Sequence, residues 1–187
     1  MIDSTLDYLG NSGLIAILVL VGLSFYFILT FAIFIYKFKT LQQLIEDEKK
    51  SLEVLASGGN SQRVLSKLNK CVGSSPVSKE LLSACEISLI REASNGISWL
   101  SIVSSTAPFI GLFGTVVGIL ESFAKFSSQS KVSFSVIAPA ISEALVATAA
   151  GIFVAIFAYT FHQIITRKVY ELNTYIKAQS EILILKA

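Results

Sequence analysis

Charge is missing from three long stretches of this 187-residue chain. Between Asp7 and Lys37 lie 29 residues without a formal charge, and between Glu92 and Glu121 lie another 28. Between Lys131 and Arg167 lie 35 residues that hold one, Glu143. A helix rises ~1.5 Å per residue, so about 20 apolar residues cross a ~30 Å hydrocarbon layer. With no water to satisfy backbone groups there, each stretch must be helical or part of a closed barrel. The first reads LIAILVLVGLSFYFILTFAIFIY from Leu14 to Tyr36, and Tyr36 and Lys37 close it as an interfacial anchor. It is too long for a signal peptide core, follows Asp3 and Asp7 instead of positive charge, and has no small-residue cleavage site after it.

Composition supports the same class. The chain is 53% hydrophobic and 15% charged, where soluble domains run near ~45–50% and ~25%. A net charge of +2 is too small for a nucleic-acid surface. The basic residues then set the orientation. The first 13 residues carry no Lys or Arg, the segment from Lys37 to Arg91 carries nine, and the tail from Arg167 carries four. Only Lys125 and Lys131 lie on the other side, so the positive-inside rule makes the larger side cytoplasmic.

The expected fold is an all-α membrane protein with three transmembrane helices, N-terminus out and C-terminus in. Residues 1–13 form a periplasmic N-terminus, 14–36 the first span, 37–95 a cytoplasmic helical segment and 96–121 the second span. Residues 122–134 form a periplasmic connection, 135–162 the third span and 163–187 a cytoplasmic C-terminal helix. In the cytoplasmic segment Leu41, Ile45, Leu52 and Leu55 share a helical face, and Ser57-Gly58-Gly59-Asn60 ends that helix. A short helix with Val64, Leu65 and Leu68 follows. Ser75-Pro76 suits the start of another, expected to run through Leu82, Cys85 and Leu89 into the second span without a break. Ile165, Val169, Leu172, Ile176 and Leu183 continue the third span as an amphipathic helix. Such pieces are too short for an independent core, so they are expected to pack on one another. Cys71 and Cys85 fit no zinc motif and, in a cytoplasmic segment, are expected to be reduced packing residues.

Two seams stand out. In the second span Ser101, Ser104, Pro108, Gly111, Thr115, Gly118 and Ser122 recur at alternating steps of three and four. In the third, Ala144, Thr148, Gly151, Ala155, Ala158 and His162 do the same. Small residues let helix backbones approach closely in lipid, and Gly114-xxx-Gly118 is a motif of that kind. Thr115 and Thr148 equally suit a hydrated path, since a hydroxyl both donates and accepts. Periodicity alone leaves both readings open. Glu143 is the clearest single residue, because a carboxylate inside a span costs ~2.5–3.5 kcal/mol on insertion scales and marks an ion or proton pathway unless it snorkels outward. His162 reads as an interfacial histidine, and one His makes no metal site. The Gly111–Gly118 run lacks the Lys-Ser/Thr of a phosphate loop. Neither cofactor nor enzymatic chemistry is expected.

The run Ala107-Pro108-Phe109-Ile110-Gly111-Leu112-Phe113-Gly114-Thr115-Val116-Val117-Gly118-Ile119 resembles the second-helix signature of the MotA/TolQ/ExbB proton-channel family. Ala138-Pro139-Ala140-Ile141-Ser142-Glu143-Ala144-Leu145-Val146-Ala147-Thr148-Ala149-Ala150-Gly151 resembles its third-helix signature. The resemblance implies an inner-membrane stator that turns proton-motive force into work on the outer membrane. It implies a homopentamer around a single-span TolR- or ExbD-like partner with a membrane Asp. Thr115 and Thr148 would be pore hydroxyls, Glu143 the lumen carboxylate and Pro108 the second-helix proline. Ser104, Gly111, Gly118, Ala144, Gly151 and Ala155 would line or pack the seam. The Gly-Leu-Phe-Gly-Thr-Val run leans toward the Tol–Pal type, with an ExbB-type subunit energising uptake as the alternative and a non-conducting scaffold as a reading of another class. A flagellar stator is disfavoured, because those have four spans. Departures are Val117, where the family often has Trp, Ala140, where it often has Gly, and Phe157, where a proline is common.

Overall fold

The computed structural model describes residues 14–57, 66–73, 77–126 and 134–186. They form α1 (Leu14–Ala56), α2 (Lys67–Val72), α3 (Lys79–Ser94), α4 (Ile97–Phe126) and α5 (Phe134–Lys186). Among the described residues there is no strand, and α1, α4 and α5 are long and apolar enough to cross a membrane. The expected all-α, three-span class is therefore what the chain adopts. With 43 and 53 residues, α1 and α5 reach about 64 Å and about 80 Å, well beyond a ~30 Å hydrocarbon layer. Both continue past their apolar runs, as the amphipathic patterns of Leu41–Leu55 and Ile165–Leu183 require.

The chain divides into two compact units, and α1 and α5 contribute to both. The first comprises residues up to Phe31 and Trp99–Thr160. Its core is thin and small-grained: Val19 and Leu23 of α1, Val103 and Ala107 of α4, and Ala147, Val154, Ala155 and Ala158 of α5. The large side chains point the other way, with Leu18, Phe25, Ile28, Phe109, Phe113, Leu120 and Ile156 exposed. This inverts the pattern of a soluble domain and suits helices that associate through small residues while lipid covers the bulky ones. Where larger groups do meet, they are aromatic. Phe27 lies 4.8 Å from Phe31 and 5.8 Å from both Phe153 and Phe157, centroid to centroid. Phe157 is thus a member of an α1–α5 aromatic cluster.

The second unit comprises Ala32–Ser98 and the residues from Phe161 onward. Leu41, Ile45 and Leu55 of α1, Leu68 and Val72 of α2, Leu82 and Cys85 of α3, and Ile165, Leu172 and Ile176 of α5 are buried. This core encloses a polar network. Glu48, 1% exposed, accepts at Oε1 from the Lys67 amide at 2.8 Å and the Leu68 amide at 3.4 Å. Its Oε2 accepts from Gln179 Nε2 at 2.8 Å. Gln179 Oε1 in turn accepts from the Ser51 hydroxyl at 2.9 Å. A buried carboxylate is tolerable only when so satisfied, and here it also caps the amides of a six-residue helix. The apolar stripe of α1 therefore has a polar interior at Glu48 and Ser51, which the sequence pattern did not disclose.

Three expectations in this unit are corrected. The helix after the 74–76 region does not start at Ser75-Pro76, which lie outside the described residues. Its cap is Ser78, whose Oγ accepts from the Leu81 amide at 3.2 Å. It also does not run unbroken into the second span, because α3 stops at Ser94 and α4 begins at Ile97. Gly96 sits between them at φ +80°, a left-handed conformation that turns the chain sharply. Lys37 Nζ donates to the Ala93 carbonyl at 3.4 Å beside that turn. Finally, Cys71 and Cys85 are joined in a disulfide between α2 and α3, with Cα atoms 5.9 Å apart; they are not free thiols. Val64 and Leu65 lie outside the described residues.

Candidate functional site

The site lies within the first unit, where α4 and α5 pack. Two glycines set its geometry. A methyl placed on Gly111 would come 2.6 Å from the Ala147 carbonyl oxygen, and one on Gly151 would come 2.5 Å from the Ala107 carbonyl oxygen. The two backbones therefore touch, which only glycine at both positions permits. Gly118 is less tight, with Ala144 Cβ 3.3 Å from an added methyl. Gly114 takes Val19 of α1, whose Cγ1 would be 2.9 Å away.

That closeness brings two hydroxyls together. Thr115 of α4 is 7% exposed, and Thr148 of α5 is half-buried. Their Oγ1 atoms are hydrogen-bonded to each other. Thr115 Oγ1 also lies 3.3 Å from the carbonyl of Gly111 and 3.2 Å from that of Ala144. Thr148 Oγ1 lies 3.3 Å from the Gly111 carbonyl. Gly111 and Ala144 each stand four residues before one of the threonines, so each hydroxyl reaches the carbonyl that the other would bond within its own helix. A hydroxyl donates one proton and accepts others. The pair thus has two complementary arrangements. Thr115 can donate to Thr148, which donates on to Gly111, or Thr148 can donate to Thr115, which donates on to Ala144.

The other sequence-predicted residues fall around this centre. Ala144, Gly151 and Ala155 are buried on α5, and Gly111 is buried on α4. Glu143 is half-buried and precedes Ala144, whose carbonyl belongs to the hydroxyl cluster. Ser104 and Pro108 are only half-buried, so they border the packed seam instead of forming it. Ser104 Oγ donates to the Ser101 carbonyl at 2.8 Å, one turn before Pro108, which has no N–H to offer the Ser104 carbonyl. Ala107, fully buried, and Ala147 supply the carbonyls against which Gly151 and Gly111 pack, and Gly114 meets Val19. They lie outside the alternating three-and-four series, on the faces where Val19 of α1 joins α4 and α5 in one core. His162 belongs to the second unit and is half-buried. Among the described residues no group of three or more His, Cys, Asp or Glu could hold a metal.

Three apolar helices, two of them locked backbone to backbone around a hydroxyl pair, define a helical membrane protein. The chain belongs to the MotA/TolQ/ExbB proton channel family, whose signature matches residues 60–178. It is 43% identical over 185 residues to a biopolymer transport protein, ExbB-like 1, of Helicobacter pylori strain 26695, with 98% of each chain covered. Shorter matches reach the biopolymer transport protein ExbB of Pseudomonas putida, 43% identical over 42% of this chain and 24% of that one. The Tol-Pal system protein TolQ of Haemophilus influenzae is 45% identical over 36% of this chain and 29% of that one. This is accordingly a bacterial membrane protein of a family that energises transport.

Proposed function

We propose that this chain is the proton-pathway subunit of an inner-membrane stator, set with its N-terminus in the periplasm and its second unit in the cytoplasm. The observation that carries the reading is the Thr115–Thr148 hydroxyl pair with its two carbonyl acceptors. Copies of the chain, five by family resemblance, surround a single-span TolR- or ExbD-like partner whose membrane carboxylate exchanges a proton with this relay. Glu143 holds a favourable cation potential at the outer end of the path. Each charge that crosses supplies ~2.3 kcal/mol per 100 mV, and protonation changes which seam the partner helix prefers, so repeated transfer biases its motion. Pro108 leaves a carbonyl on α4 free to meet that helix.

The test is proton flux in liposomes holding the chain with its partner. Flux that Thr148→Val removes, with the complex still intact, supports the relay; an intact wild-type complex without flux supports the scaffold reading instead. The load is a separate question. A relative matched over nearly its whole length is named ExbB-like, which favours an ExbB-type role in uptake. The TolQ match and the Gly111–Val116 run favour the Tol–Pal role. A deletion strain that loses energised uptake with a sound outer membrane selects the first, and one that leaks periplasmic protein selects the second.

A further inference from the structure

We propose that Cys71 and Cys85 are a reversible redox-modification site, a dithiol–disulfide pair that clips α2 to α3. This rests on the cytoplasmic placement of the second unit proposed above. A constitutive disulfide is out of place there, because cytosolic reductants keep thiols reduced and the disulfides that form are mostly transient or redox-sensing. Yet the two cysteines are paired, 14 residues apart in sequence and on separate helices.

The two sulfurs are unequal. Cys71 is exposed, whereas Cys85 is 2% exposed. An incoming thiolate can therefore reach the Cys71 sulfur and not its partner, and access decides which sulfur is attacked. The exchange balances with a dithiol reductant of the thioredoxin class. One thiolate attacks Cys71 Sγ, the S–S bond breaks, and Cys85 leaves as a thiolate that takes up a proton. The second thiol of the reductant then attacks its own sulfur in the mixed disulfide, releasing Cys71 as a thiol. Two electrons and two protons pass from the dithiol to the pair, and the reductant departs as a disulfide. Oxidation runs the same steps backward.

The consequence follows from what α2 is tied to. Six residues make no stable helix unaided. Leu68 and Val72 are buried, Ser66 caps the Asn69 amide at 3.0 Å, and Lys67 pairs with Glu92 at 2.6 Å. Lys67 lies one turn before Cys71, and its amide is a donor to Glu48. Opening the disulfide loosens α2 and, through Lys67 and Leu68, removes two donors from the buried Glu48, which also joins α1 to Gln179 of α5. Redox state thereby reaches both long helices. Lys67, Leu89 and Glu92 also line a cavity of about 370 Å³ with Lys37 and Leu172, so the clip joins two of its walls.

The experiment uses the full chain in inverted membrane vesicles. After treatment with the thiol oxidant diamide, a membrane-impermeant maleimide is expected to label neither cysteine; after dithiothreitol it labels both, Cys71 faster. Trypsin cleavage at Lys67 and Lys70 is expected to rise about tenfold on reduction, as local opening of α2 predicts. The double variant Cys71→Ser/Cys85→Ser should be cleaved like the reduced protein whatever the treatment. Thiols that label fully after diamide, cleavage that ignores the redox state, or labelling after reduction only from the periplasmic face would each overturn the proposal. None of these readouts depends on proton flux. Flux measured on the same vesicles therefore tests the stator reading separately.

Discussion

Gly151 of α5 passes Gly111 of α4 so closely that a methyl on Gly151 would lie 3.0 Å from the Gly111 Cα and 2.5 Å from the Ala107 carbonyl. No side-chain movement relieves such a contact, since both obstacles are backbone. Gly151→Ala and Gly111→Ala are each expected to part α4 from α5 and to cost about 1–3 kcal/mol, the usual range for overpacking. Gly118→Ala, with only Ala144 Cβ at 3.3 Å, should cost less. Gly22 is the control: nothing lies within 4 Å of an added methyl, and alanine there should be neutral or stabilising by ~0.5–1 kcal/mol. Thermal unfolding in detergent gives the ranking.

The hydroxyl pair separates packing from chemistry. Thr148→Ser keeps the donor and should keep flux, while Thr148→Val keeps the shape and should lose it. The stability change for valine is expected to be small, about 1 kcal/mol, because one net hydrogen bond is lost. Thr115→Val should behave alike but be less well tolerated, since Thr115 is the more buried and faces two carbonyls. A valine variant that conducts normally would remove the hydroxyls from the proton path.

Glu48 makes a different prediction. Glu48→Ala strands the Lys67 and Leu68 amides, at about 1–3 kcal/mol for each stranded group, while Gln179 Nε2 keeps the residue-48 backbone carbonyl at 2.9 Å. Gln179→Leu strands the Ser51 hydroxyl proton and the Glu48 Oε2 carboxylate oxygen. The two variants share one network, so the double variant should lose less than the sum of the singles. Unfolding of all three in detergent measures the coupling; simple additivity would mean that Glu48 and Gln179 act independently.

Much of this was legible in the sequence, for a physical reason. Lipid forbids charge, so the spans are marked by what they lack, and the backbone's need for internal hydrogen bonds made them helical. Close helix packing needs glycine, so Gly111, Gly118 and Gly151 marked the seam and carried Thr115 and Thr148 with them. What periodicity could not show is which third helix shares a face. Ala107 and Ala147 lay outside the alternating series, and Gly114, marked only as part of a small-residue motif, is where Val19 of α1 meets α4. Nothing in the sequence singled out Glu48, because its partners on α2 and α5 lie 19 and 131 residues away. The cysteines read as free, because nothing local specifies that α2 folds back on α3.

The break before the second span was also invisible to pattern. Apolar positions run on from α3 to α4, and Asn95 at ψ 135° and Gly96 at φ +80° interrupt them. An added methyl there meets nothing closer than Lys37 Cε at 3.7 Å, so space is available and the backbone angle alone opposes substitution. Gly96→Ala is therefore expected to cost ~1–2 kcal/mol, the left-handed penalty for an L-residue. Gly96→Asn should cost less, because asparagine tolerates that region. If both variants unfold at the same temperature in detergent as the parent, α3 and α4 can join in one helix and the break is not fixed by Gly96.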